Sequence, residues 1–84
     1  MITLEDAIYN LEIRHPFNAG NLTASVEAGD KDGELVPVYT VRSYGVAIAK
    51  GSPFANVDVW VTDEKFSQTT TKHINLVKRA WGVN

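Results

Sequence analysis

The sequence predicts an α+β domain: a small antiparallel sheet of 3–4 strands with an N-terminal and a C-terminal helix, in the order α-β-β-β-(β)-α. Three observations carry this. Apolar residues recur at helical spacing near both ends, they alternate at strand spacing through the middle, and an Asp32-Gly33 pair separates two of the alternating runs. At 84 residues, the stretch 1–84 makes a single α+β domain.

In the first element Leu4, Ala7, Ile8 and Leu11 fall at i, i+3, i+4 and i+7, on one face of a helix. Thr3 is placed to cap it, with Asp6 three residues on, and the early acids suit the positive helix end. His15-Pro16 ends the helix, because proline disfavours the helical conformation of its predecessor. Residues 18–21 then read as a turn. Residues 22–28 alternate, with Leu22, Ala24, Val26 and Ala28 against Thr23, Ser25 and Glu27, as in a half-buried strand. Residues 29–34 form a polar turn around Asp32-Gly33, a favoured hairpin pair. The returning strand, 35–42, is rich in Val, Tyr and Thr, and Pro37 implies an edge or a late start to pairing. Gly45 bends the chain before an apolar strand at 46–49, and Gly51-Ser52-Pro53 is a loop. Val57, Val59 and Val61 alternate with Asp58, Trp60 and Thr62 as a further strand. The last helix is expected over 70–81, with Ile74, Val77 and Trp81 as its apolar stripe.

Composition narrows the function classes. An apolar share of 44% and a charged share of 21% are those of a globular protein. There is no cysteine, which excludes disulfides, thiolate metal sites and cysteine nucleophiles and favours a reducing compartment. No signal-peptide pattern opens the chain, and no apolar run approaches the roughly 18 residues of a membrane span. A cytoplasmic location without membrane attachment is therefore expected. The net charge of −2 hides an asymmetry: residues 1–34 carry seven acids and two bases, whereas 65–84 carry Lys65, Lys72, Lys78 and Arg79 and no acid.

Ser43-Tyr44-Gly45-Val46-Ala47-Ile48-Ala49, followed by Val59-Trp60 and then by the segment 65–73, resembles a domain of unknown function in small proteins of actinobacterial and other phages. That pattern places Ser-Tyr-Gly-x-x-Ile-Ala ahead of aromatic-Ser-x-Thr-Thr-x-basic-His, here Phe66 to His73, with a basic pair at Lys78-Arg79. The resemblance covers residues 39–81. Arg42 and Phe66 depart from it, standing where an aromatic-rich run and a tyrosine are usual. It implies a phage accessory protein acting in the bacterial cytoplasm, and no reaction.

Each motif has a structural and a functional reading. In Thr69-Thr70-Thr71-Lys72-His73, Thr69 or Thr70 caps the helix, Ser67 closes the turn and His73 bonds a strand carbonyl or a threonine hydroxyl. The functional counterparts are an anion site over Thr70 to His73 and a Ser67–His73 catalytic pair, which lacks an orienting acid and an oxyanion hole. Asp30-Lys31-Asp32-Gly33 lacks the later ligands of a calcium loop, and His15 and His73 alone are a poor metal site. No catalytic residue, metal ligand or cofactor is assigned. Lys72, Lys78 and Arg79 form a basic helix face that would contact phosphates, but a pI of about 5.5 is low for a nucleic-acid binder. Tyr44, Phe54 and Trp60 would form an apolar patch of the kind enriched at protein interfaces, if Trp60 is exposed rather than core.

The function expected from these readings is non-enzymatic. A phage accessory protein binds a protein of the bacterial host, in replication, transcription or defence, and blocks a surface by occupying it. Its candidate binding residues are Tyr44, Phe54, Trp60, Lys72, Lys78 and Arg79. The alternative is nucleic-acid binding through the basic helix. A monomer and a homodimer fit both.

Overall fold

Thr3 opens α1 (Leu4–Ile13) as its N-cap, its hydroxyl accepting the Asp6 amide at 3.2 Å. The helix stops at Arg14, which takes a left-handed conformation (φ 56) and is followed by His15, whose amide donates to the Asn10 carbonyl at 2.8 Å. The computed structural model describes residues 1–55 and 57–83.

Five strands follow α1 in chain order: β1 (Phe17–Ala19), β2 (Leu22–Lys31), β3 (Glu34–Ser43), β4 (Val46–Gly51) and β5 (Trp60–Val61). They form one antiparallel sheet in sequence order. The chain closes with α2 (Gln68–Trp81). The α+β class and the helix at each end are those the sequence predicts. β1 is the strand added to the expected set. It takes in Asn18 and Ala19, so the turn expected over 18–21 narrows to Gly20-Asn21, with Gly20 at φ 81. Three residues are too few for an alternating pattern to show.

The β2–β3 hairpin is longer than the alternating runs indicate. Pairing continues to Lys31 opposite Glu34 around Asp32 and Gly33, both at positive φ, as a two-residue turn of this hand requires. Pro37 faces Ala28 within this hairpin. Since the tight turn makes Lys31 and Glu34 a hydrogen-bonded pair, alternation puts Pro37 in a non-bonded pair, where its missing N–H points away from β2. Pairing of β3 with β4 begins only at Tyr39 opposite Gly51. Pro37 therefore sits on a locally open edge of an otherwise central strand. β5 is shorter than the valine alternation implies: only Trp60 and Val61 pair with β4, because Asp58 adopts a left-handed conformation (φ 54) just before them.

One sheet face carries both helices. Leu11, Leu22, Tyr39, Val41, Ile48 and Val77 are fully buried between the layers, with Ile74 and Trp81 beside them. The Trp81 indole N–H donates to the Leu11 carbonyl at 2.9 Å, and the Arg14 guanidinium lies 4.8 Å over the Trp81 ring. Leu4 and Ile8 share a cleft with Lys72 and Leu76. The two helices thus run side by side in the same direction, and the acidic α1 lies along the basic α2. The charge asymmetry of the sequence is partly folded back on itself.

Candidate binding surface

The Ser-Tyr-Gly and Ser-x-Thr-Thr-x-Lys-His segments meet in space. Tyr44 (φ 52) and Gly45 (φ 81) form the tight turn between β3 and β4, which leaves Ser43 at the strand end facing the start of α2. The Ser43 hydroxyl lies 2.7 Å from His73 Nδ1 and 3.2 Å from the Thr70 hydroxyl. Ser67, rather than Thr69 or Thr70, is the N-cap: its hydroxyl accepts the Thr70 amide at 3.3 Å, so α2 begins two residues before the expected start. The Ser67 hydroxyl also bonds Thr70 Oγ1 at 3.3 Å. Ser43, Thr70 and His73 are buried, and the Tyr44 ring stacks over the imidazole at 6.3 Å. Burial pushes the His73 pKa below its ordinary value. The serine that reaches His73 is Ser43 and not Ser67, and at 1% exposure its hydroxyl is closed to a substrate. This junction ties the β3–β4 turn to α2. Chemically it is a satisfied buried polar cluster.

The helix-free sheet face is different. By alternation, Val36, Val38, Lys50 and Trp60 point away from Tyr39 and Ala49, which face the core. Gly29, on the same open face, has no room for a side chain: an added Cβ would stand 2.5 Å from a Val38 methyl. The polar half of the face is tied by Arg42, whose guanidinium donates to Glu27 at 2.7 Å, while the Ser25 hydroxyl donates to the other oxygen of that carboxylate at 2.9 Å. The bonds from Arg42 and then Ser25 hold the Glu27 carboxyl below its ordinary pKa. The apolar half opens into a groove of about 550 Å³ lined by Val36, Val38, Lys50, Phe54 and Trp60. The Lys31 ammonium and the Asp58 carboxylate, 2.7 Å apart, close one side of it. Phe54 is 84% exposed and Trp60 47%.

The structure thus answers where Trp60 lies: it is at the surface, in one groove with Phe54. Tyr44, 55% exposed, sits at the opposite end of β4 and does not line that groove. Lys72 and Arg79 line the α1–α2 cleft together with Glu5, whereas Lys78 lies outside it, half-buried near the C-cap. The six candidate residues are therefore spread over four places. Among the described residues no three His, Asp or Glu side chains converge to hold a metal ion, and no helix is long and apolar enough to cross a membrane.

A family model described as a family of unknown function (DUF8033) matches residues 9–82. The chain belongs to this family. The matched span takes in every strand and the whole of α2, so it contains both the buried junction and the open groove. No curated protein and no solved structure matches the chain.

Val36, Val38, Lys50 and the Lys31–Asp58 pair are groove residues that the sequence did not single out. Their signal was present in part, since Val36 and Val38 lie on the opposite face from Tyr39 once the period of two is extended past Pro37. Gly29 inside a strand marks a close approach in the same way. The Lys31–Asp58 contact joins residues 27 apart and has no local signal.

Proposed function

We propose that this member of the family is a phage accessory protein that acts by binding a protein of the bacterial host and occupying a surface the host needs. The observation that carries the reading is the groove on the helix-free sheet face, where two aromatic side chains stand exposed beside valines on a paired, rigid scaffold. Exposed tryptophan and phenylalanine in a concave apolar setting, rimmed by charge, are the makings of a binding hot spot. The motif that carries the phage resemblance supports the origin and not the contact, because its serine, threonine and histidine are consumed in a buried junction. A binding role is favoured over catalysis for the same reason. The mechanism is steric: Phe54 and Trp60 fill a partner's pocket, while Lys50 and the Lys31–Asp58 pair set register at the rim.

The test is affinity capture of the tagged chain from nuclease-treated bacterial lysate, run beside Trp60→Ala and Lys72→Ala/Arg79→Ala. The expected result is one stoichiometric host protein that is lost with Trp60→Ala and kept with the double lysine and arginine replacement. Recovery of nucleic acid when nuclease is omitted, with loss at Lys72 and Arg79 instead, would move the function to the basic helix. A pI of about 5.5 weighs against that second reading, as nucleic-acid binders carry a stronger basic excess.

A further inference from the structure

The β2–β3 hairpin runs past the end of the helical layer and leaves its helix-side face uncovered. On that face Val26 is 44% exposed and Leu35, cross-strand from Asp30, is 83% exposed. Asp30, Asp32 and Glu34 make the hairpin tip acidic, and among the described residues none of the three forms an ion pair, whereas Lys31 is engaged by Asp58. Elsewhere on the same chain lies a cleft of the opposite character. The outer surface between α1 and α2 has an apolar floor of Leu4, Ile8 and Leu76, with Lys72 and Arg79 on its rim beside Glu5. A projecting apolar side chain next to acids and an apolar cleft next to bases are complementary.

The distances allow the two to meet between copies. α2 follows the sheet from Ser43, where Thr70 touches β3, to Tyr39, where Trp81 packs with ring centroids 6.2 Å apart. Beyond Tyr39 the hairpin continues alone, and Leu35 lies about 13 Å further out at roughly 3.3 Å per residue. Running back along α2 from Trp81, Leu76 and Lys72 lie about 7.5 and 13.5 Å away at 1.5 Å per residue. A two-fold axis placed beside Trp81 and perpendicular to the strands lays each hairpin across the outer face of the other chain's helices. Leu35 then falls over the 72–76 stretch of α2. Both contacts form at once, so the arrangement closes as a dimer and does not propagate.

We infer that the chain pairs with a second copy of itself in this way, each hairpin lying on the other's helical layer, with Leu35 in the Leu4–Ile8–Leu76 cleft and Asp30, its cross-strand neighbour, against Lys72 and Arg79. The surface used lies on the opposite sheet face from the Phe54–Trp60 groove, with Asp30 bordering both.

Sedimentation equilibrium over a concentration series tests it. The wild-type chain is expected to approach twice its 9.3 kDa mass, with weaker association as salt rises. Leu35→Glu is expected to raise the dimer dissociation constant at least about tenfold without altering the fold, since the side chain is exposed. A charge-exchange pair makes the test specific. Asp30→Lys and Lys72→Glu/Arg79→Glu are each expected to be monomeric alone and to associate one-to-one when mixed, because each hairpin then meets a cleft of opposite sign. A wild-type chain that stays at single-chain mass up to about 1 mM, the range of weak association, overturns the inference. So does a dimer that Leu35→Glu leaves intact, or a mixture of the two charge variants that does not associate.

Discussion

The two ends of β4 carry exposed aromatic residues in opposite circumstances. At its start, Tyr44 lies over His73 and seals a cluster in which the Ser43 and Thr70 hydroxyls and His73 Nδ1 bond one another. Past its end, Phe54 and Trp60 stand exposed over a groove that no element among the described residues covers. The first region is distinctive in sequence and closed in space. The second is undistinguished in sequence and open. Unusual residues are thus no guide to a site by themselves: a compositionally rare motif can be explained fully by the contacts it makes inside the fold, and the surface left unexplained is the better place to look for a partner.

Substitutions should separate the two regions by size of effect. Trp81→Ala, in the covered half, removes a buried ring, its indole bond to Leu11 and its contacts with Tyr39 and Arg14. It is expected to cost about 3–5 kcal/mol in denaturant unfolding. Ser43→Ala leaves the Nδ1 of His73 and the Thr70 hydroxyl short of a partner, for about 1–3 kcal/mol. Combined with His73→Ala, the two losses should fall well short of adding, as they remove the same bond. Gly29→Ala is expected to cost about 1–3 kcal/mol through the clash with Val38, and Val38→Ala in the same chain should recover most of it. On the open face, Trp60→Ala should change stability by less than about 1 kcal/mol, since its ring is half in solvent. The Lys31–Asp58 pair is solvated on both sides, and a double-mutant cycle should give a coupling of about 0–1 kcal/mol that vanishes in high salt.

Acidification offers another separation. His73 is held neutral by burial, so its folded pKa lies below its unfolded value. The unfolded chain takes up that proton first, and stability is complete at neutral pH and falls as the pH drops below about 6.5, levelling once folded His73 protonates. Glu27, held below its ordinary pKa by Arg42, adds a loss of the same sign below about 4.5, a lower window. Unfolding midpoints followed from neutral pH to about pH 5 should decline for the wild type and much less for His73→Gln.

The elements were legible where several local signals agreed. The spacing of Leu4, Ala7 and Leu11 with Thr3 before them marked α1, and Asp32-Gly33 between alternating runs marked the hairpin, though not how far its pairing extends. β1 was not legible, because three residues after a proline show no period. The start of α2 was missed by two residues because four candidate hydroxyls stand close together and only the tertiary contact of Thr70 with Ser43 leaves Ser67 as the cap. Of the candidate site, Trp60 and Phe54 were visible as residue types, but their union in one groove depends on the turn at Asp58 and on the late start of β3–β4 pairing. Tyr44 looked equivalent to them and is not, since what separates it is a stack on a residue 29 positions away.

The most direct measurement is partner capture with three single replacements side by side: Trp60→Ala, Phe54→Ala and Tyr44→Ala, each confirmed folded by its unfolding midpoint. If the open face is the binding surface, the first two lose the partner and Tyr44→Ala keeps it. Loss with Tyr44→Ala and retention with the other two would place binding at the buried junction's outer surface and contradict the assignment of the groove as the binding surface.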